Sequence, residues 1–215
     1  MSYPHPFLAR EARPFVGLVL LAALVSTGLW GLGWASAFCW SALALILLYL
    51  RDAPRVVPAD PGAILSPADG RIMRIERVRD PYANRDALLI SVFMSIFSGH
   101  ANRSSVDGVV KHVQYFPSLA TNVKRNKSAI RKERNAVVIE SNGQIVTLVQ
   151  VAGLLARRIL CTIKPGHTLT RGQRYGLLRF GSRVDVYLPA HAEPQVAPGQ
   201  KVSATTTILA TLSKA

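Results

Sequence analysis

Gly181-Ser182, set at the entrance to the apolar run Val184-Asp185-Val186-Tyr187-Leu188, is the pair in this chain best suited to unusual chemistry. Glycine leaves its carbonyl unshielded, and serine sets a hydroxyl beside it. Held in a strained geometry, that hydroxyl attacks the carbonyl and turns the peptide bond into an ester. Elimination across Cα–Cβ and hydrolysis then leave a ketone at a new N-terminus. Such a ketone captures an amine as a Schiff base and acts as an electron sink, as pyridoxal phosphate does. The serine needs activation, because a hydroxyl is a weak nucleophile at neutral pH. Asp69 and His100 are of the types that orient and deprotonate it. Taken singly, each residue also fits a plain role: Gly-Ser as a turn, Asp69 as a turn aspartate before Gly70, His100 as a loop histidine after Gly99.

The elements that must hold these residues are legible in outline. From Pro14 to Leu50 no residue is charged, a run well beyond the ~20 residues that cross a bilayer as one helix. Its middle, Gly28-Leu29-Trp30-Gly31-Leu32-Gly33-Trp34, loosens a helix, and Trp favours the membrane–water boundary. The pattern predicts two helices, about 15–30 and 34–50, joined by a tight turn. Arg10 and Arg13 before it, with Arg51 and Arg55 after it, suit a hairpin with both ends in the cytoplasm; a single tilted span or a re-entrant segment in one leaflet fits the same run. Three prolines between Asp52 and Pro61 mark a linker. Beyond it, residues 87–94, 109–116, 136–140, 145–151, 157–163, 183–188 and 205–212 read as strands, and Asn142-Gly143 is a two-residue hairpin signal. The basic stretch 120–135 reads as a long loop able to meet lipid headgroups. The expected fold is mainly β: a compact barrel-sandwich-like domain preceded by an N-terminal hydrophobic helical hairpin. The expected division is 1–52 for the membrane-associated segment and 53–215 for the catalytic domain.

The formal net charge of +14 favours an anionic partner, and the apolar run makes that partner an anionic membrane. A nucleic-acid role lacks an interleaved aromatic platform or any known module. Cys39 and Cys161 have neither metal-ligand spacing nor a disulfide framework and read as buried reduced thiols. No metal site is expected. His5, His112, His167 and His191 read as surface or packing residues, and Asp107-Gly108 as a turn. Arg157-Arg158 fits a contact to an anionic substrate and a solvated strand end equally well.

Together the motifs are more specific than any member. The apolar pair ending in Arg51-Asp52-Ala53-Pro54-Arg55, SPADG at 66–70, FMS…HANR at 93–103, ERNAVVI at 133–139, VAGLLARRI at 151–159 and RFGSRVDVYLP at 179–189 run nearly the whole chain. This set resembles the short (archaeal-type) phosphatidylserine decarboxylase proenzymes. The resemblance implies self-cleavage between Gly181 and Ser182, giving a β chain of 1–181 and an α chain of 182–215 that begins with a pyruvoyl group made from Ser182. That group would take the amine of phosphatidylserine as a Schiff base and release carbon dioxide to give phosphatidylethanolamine. By motif position, Asp69 corresponds to the self-cleavage aspartate and His100 to the histidine tied to proton handling. The resemblance also implies a heterodimer of the chain's own two pieces at the cell membrane, catalytic domain in the cytoplasm, and leaves a higher homo-oligomer open. It assigns no headgroup-binding residue.

Three departures stand out. Longer members carry a second histidine three residues after the first, where Arg103 stands here; the base for cleavage therefore stays open. The stretch Met94-Ser95-Ile96-Phe97-Ser98-Gly99-His100 lacks the proline and aspartate common in short forms. The 124–132 stretch is more basic than is usual. The competing reading is a non-enzymatic membrane-anchored barrel-sandwich adaptor, since 66–70 and 196–202 resemble turns of lipoyl- or biotinyl-type domains. Against it, no hairpin presents a Met-Lys or Asp-Lys pair.

Overall fold

The computed structural model describes residues 13–31, 33–49, 55–95, 101–117, 132–153, 159–178 and 182–212. The chain divides into two units, Met1–Pro54 and Arg55–Ala215. Of the sequence features named above, His5, Arg10, Arg51, His100, Arg157, Arg158, Gly181 and residues 120–131 of the basic stretch lie outside the described residues.

The first unit holds α1 (Arg13–Trp30) and α2 (Trp34–Tyr49), close to the expected bounds. Gly31 ends α1 at φ +67°, and its N–H donates to the Thr27 carbonyl at 2.9 Å. This left-handed C-terminal cap suits a residue without Cβ. Ala23, Ser26, Ser36 and Leu43 are buried within the unit, and Trp40 Nε1 donates to Thr27 Oγ1 at 3.2 Å between the helices. Leu18, Leu21, Leu29, Trp34 and Phe38 stay exposed. At ~1.5 Å per residue the helices reach roughly 27 and 24 Å, short of a ~30 Å hydrocarbon core. No helix among the described residues is long and apolar enough to cross a membrane.

The second unit is built of strands. In chain order they are β1 (Ala63–Leu65), β2 (Gly70–Asp80), β3 (Arg85–Met94), β4 (Ala101–Arg103), β5 (Gly108–Phe116), β6 (Arg134–Ser141) and β7 (Gln144–Ala152). There follow β8 (Ile159–Cys161), β9 (Thr168–Leu169), β10 (Arg174–Leu178), β11 (Ser182–Pro189), β12 (Glu193–Pro194), β13 (Lys201–Val202) and β14 (Ile208–Thr211). The large sheet runs β13-β2-β3-β11-β7-β6-β5-β9 and curls into a half-barrel. Two small sheets, β1-β14-β12 and β4-β10-β8, complete the unit.

Strand alternation decides which face is dry. Val184, Val186 and Leu188 of β11 are fully buried, as are Ile90 and Val92 of β3, Leu148 of β7 and Ile139 of β6; these form the core. The hairpin signal holds: Asn142 and Gly143 sit at φ +49° and +76° between β6 and β7, the left-handed pair that a two-residue turn needs. At the same end of the sheet the fully buried Asp80 organises the β2–β3 turn. Its Oδ1 accepts the N–H groups of Tyr82 and Ala83 at 2.9 and 3.3 Å, and its Oδ2 the hydroxyl of Thr147 at 2.7 Å.

Several elements differ from expectation. The long strand β2 is not foreseen, because arginines and a glutamate recur along Gly70–Asp80 and break up the apolar run. The strand expected at 157–163 is described only as Ile159–Cys161, and that at 205–212 only as Ile208–Thr211, the residues before it being a turn. The expected loop 120–135 gives way to β6 at Arg134. Cys39 and Cys161 are free but half-buried rather than buried.

Gly108 shows how closely strands approach. A Cβ there would fall on the carbonyl oxygen of Glu140. Gly108→Ala is therefore expected to destabilise the protein by about 1–3 kcal/mol, read as a lowered unfolding midpoint in denaturant. An unchanged midpoint would mean that β5 can move away from β6 at no cost.

Candidate active site

Backbone register brings three of the sequence motifs to one end of the large sheet. Ser182 opens β11, paired with Met94 on one side and Ala152 on the other. Arg183 pairs with Phe93, and Phe93 with Arg71 near the start of β2. Gly70 lets that approach happen, because a Cβ there would fall on the Phe93 carbonyl oxygen. Asp69 thus stands just before β2, two strands from the start of β11, about 10 Å away at the usual ~4.8 Å strand spacing. The scissile position expected from the sequence falls where the chain leaves β10 at Leu178 and enters β11 at Ser182, passing from the small sheet β4-β10-β8 to the large one.

The SPADG turn is tied on all sides. Ser66 Oγ donates to the Ala68 carbonyl at 2.8 Å. The Arg103 N–H donates to the Pro67 carbonyl at 2.9 Å, joining SPADG to the end of HANR. Ser66 N–H donates to Thr207 O, and Thr205 N–H to Ser66 O, both at 2.9 Å. Thr205 takes φ +64°, a conformation costly for a β-branched residue; strain of this kind persists only where surrounding bonds impose it.

Asp69 does not stand free. Arg55 grips its carboxylate with both guanidinium nitrogens, Nη1 to Oδ1 at 2.6 Å and Nη2 to Oδ2 at 2.7 Å. The Ala204 N–H adds a third bond to Oδ1 at 2.9 Å. Fork-to-fork pairing of this kind fixes direction as well as charge. A carboxylate oxygen accepts about two bonds, so Oδ1 is filled and Oδ2 keeps one lone pair. The sequence reading uses Arg55 only as a basic flank of the apolar segment. Its role as the partner of Asp69 has no local signal, since the two lie fourteen positions apart.

His100 and Gly181 are outside the described residues. His100 falls between Ser95, just after β3, and Ala101 at the start of β4, and Gly181 between Leu178 of β10 and Ser182 of β11. β4 in turn pairs with β10, Asn102 opposite Gly176.

On the outer face of the same sheet lies a groove of about 470 Å³, lined among others by Arg74, Tyr82, Phe116, Arg134, Arg183 and Tyr187. Arg134 lies over the Phe116 ring at 4.6 Å and the Tyr82 ring at 5.8 Å, a cation–π arrangement. Asp185 is buried beneath, accepting the Ser91 hydroxyl at 2.6 Å and ion-paired with Arg183 Nε at 2.9 Å. Burial first, then the Asp185 charge, pushes the Tyr187 phenol up to about 12, and burial raises Tyr82 as well. Both therefore stay neutral at physiological pH. The groove itself is not signalled in the sequence, although Arg134 falls in the basic stretch 120–135 and in ERNAVVI, and Arg183 in RFGSRVDVYLP.

Comparison with known proteins bears on this arrangement. The sequence profile of phosphatidylserine decarboxylase matches residues 42–210. The chain is 57% identical over 212 residues to a phosphatidylserine decarboxylase proenzyme of Ralstonia nicotianae, covering 98% of each. It is 56% identical over 219 residues to that of Cupriavidus pinatubonensis, covering 100% of this chain and 99% of the relative. With that of Burkholderia cenocepacia it shares 51% over 215 residues, the whole of both. These relatives match this chain nearly end to end. The adaptor reading falls away, and the chain belongs to the phosphatidylserine decarboxylase family.

Proposed function

We propose that this carboxy-lyase matures by cutting itself between Gly181 and Ser182, and that the Ser182-derived pyruvoyl group is its cofactor for converting phosphatidylserine to phosphatidylethanolamine. The observation that carries this reading is the position of Ser182 at the first residue of β11, the strand that lies between β3 and β7 in the large sheet. A cut before it would leave the new terminus held by ladders on both sides. The pieces 1–181 and 182–215 would then stay together as a heterodimer without the peptide link. A pyruvoyl group in this family supplies a ketone that takes up the substrate amine and accepts electrons as carbon dioxide leaves.

The chain's own residues have separable duties in this reading. The Ser182 hydroxyl is the nucleophile toward the Gly181 carbonyl. Asp69, locked by Arg55 and the Ala204 N–H, holds a fixed negative charge just before the start of β2. There it stabilises a cation that forms when a neighbouring base takes the serine proton. His100 handles protons in the reaction on substrate. The helical pair of the first unit, with its exposed leucines and aromatics, anchors the chain to the cytoplasmic face of the cell membrane. The excess of 26 Lys and Arg over 12 Asp and Glu adds attraction to anionic lipid.

Denaturing intact-mass measurement of purified protein is expected to give two chains, the smaller beginning at position 182 with the mass of a pyruvoyl terminus. Ser182→Ala is expected to stay whole and inactive; a whole yet active variant would sink the reading. Asp69→Asn should slow cleavage by about 100-fold or more, the usual scale of a lost electrostatic contact. Arg55→Gln should slow it in the same direction by loosening the same carboxylate. Normal cutting of both would remove the pair from the mechanism. His100→Ala is expected to cut itself yet lose decarboxylation, and full activity would end its assignment. Co-sedimentation with anionic vesicles should survive removal of the pyruvoyl but weaken as salt rises. Salt-independent binding would place the attraction in the apolar helices alone.

A further inference from the structure

Two of the recognised motifs, ERNAVVI and HANR, contain buried amides that the reaction above does not use. Asn135 Nδ2 of β6 donates to Gln150 Oε1 of β7 at 3.0 Å. Gln150 Nε2 donates to Asn102 Oδ1 of β4 at 2.7 Å. Asn102 Nδ2 reaches the Met94 sulfur of β3 at 3.5 Å. None of these four residues is more than 1% exposed. The series ends at the residue that pairs with Ser182, and Gln150 itself pairs with Val184, two positions further along β11.

The series also crosses between sheets. Asn135, Gln150 and Met94 belong to the large sheet, whereas Asn102 belongs to β4 of the small sheet β4-β10-β8. That small sheet carries the chain to Leu178, and the large sheet receives it at Ser182. Space for the crossing is built in. A Cβ at Gly176 of β10 would lie 2.8 Å from Gln150 Nε2 and 2.5 Å from the Leu160 carbonyl oxygen. A second tie runs beside the first. The buried Glu133 accepts the Ile159 N–H of β8 at 3.1 Å on its carboxylate, and the Ala152 N–H at 2.9 Å on its carbonyl. Ala152 is the other partner of Ser182.

We propose that Asn102, Asn135 and Gln150 are positioning residues for self-cleavage: they gauge the separation of the two sheets at the link that is cut. The inference rests on the reading of Gly181-Ser182 as the cleavage site. An apolar filling would tolerate a small slide of one sheet past the other. Linked amides do not, because a slide leaves a donor and an acceptor buried without partners. Self-cleavage gains no substrate-binding energy with which to correct its geometry, so attack by Ser182 depends on distances preset by the fold. Misplacement by about 1 Å costs up to 100-fold in such reactions.

The test uses the full chain made by cell-free synthesis, with conversion from whole to cut protein followed over time by denaturing gel and intact mass. Gln150→Met keeps length and removes the amide. Asn102→Ala is the second variant should the first fail to fold. Val146→Ala in the core of β7, away from the amides, serves as a control of lowered melting temperature. Either amide variant is expected to cut about tenfold or more slowly than the control at equal margin below its own melting temperature. The double variant should be little slower than the slower single, since both break one series. Cutting at the parent rate, or a slowing that only follows melting temperature as in the control, overturns the inference and leaves the cleavage reading standing. A parent chain that stays whole overturns both.

Discussion

The placement of β11 between β3 and β7 is the constraint on which the rest depends. Its ladder pairs all eight of its residues with β3 and six of them with β7. Val184, Val186 and Leu188 fix which face is the core. A shift of register by one residue would turn Arg183, Asp185 and Tyr187 into the apolar core instead, so the position of Ser182 at the sheet's end follows from apolar alternation several residues away. The chemistry expected at one residue is thus located by the hydrophobic effect acting on its neighbours.

Around that end, polar groups are arranged by reciprocal need. Asp69 is directed by Arg55 and by a backbone N–H from a turn that is itself strained at Thr205. Asp80, at the far end of β2, is buried where a turn, Thr147 and the Arg85 guanidinium satisfy it. The outer face of the sheet keeps its arginines near aromatic rings and above a buried Asp185. The same strands present an apolar face inward and a cationic, aromatic one outward.

Much of this was legible in the residues. Runs of β-branched residues marked β3, β5, β6, β7 and β11, and Asn142-Gly143 marked the hairpin between β6 and β7. β2 escaped because Arg71, Arg74, Arg77 and Arg79 dilute its apolar residues; it is held by the β3 ladder more than by burial. β1, β4, β9, β10, β12 and β13 escaped because elements of two to five residues lack a readable period, whereas β8 and β14 were read as longer strands than they are. Asp69 was legible as a turn residue, but its guanidinium partner was not, since no local pattern links Arg55 to it. The amides of Asn102, Asn135 and Gln150 sit in motifs that sequence reading recognised, yet their contact across two sheets is a property of topology.

The proposed cut between β10 and β11 would have a further consequence. Before severance, folding is unimolecular, and β11 finds its place while tethered to both neighbours. Afterwards the sheet can re-form only when two separate polypeptides meet, and the smaller must insert as an interior strand between two that have every reason to pair with each other. The native arrangement then persists because its barrier to opening is high, and it is no longer the state that a denatured sample reaches by itself. The proposed maturation would convert a thermodynamic fold into a kinetically held one.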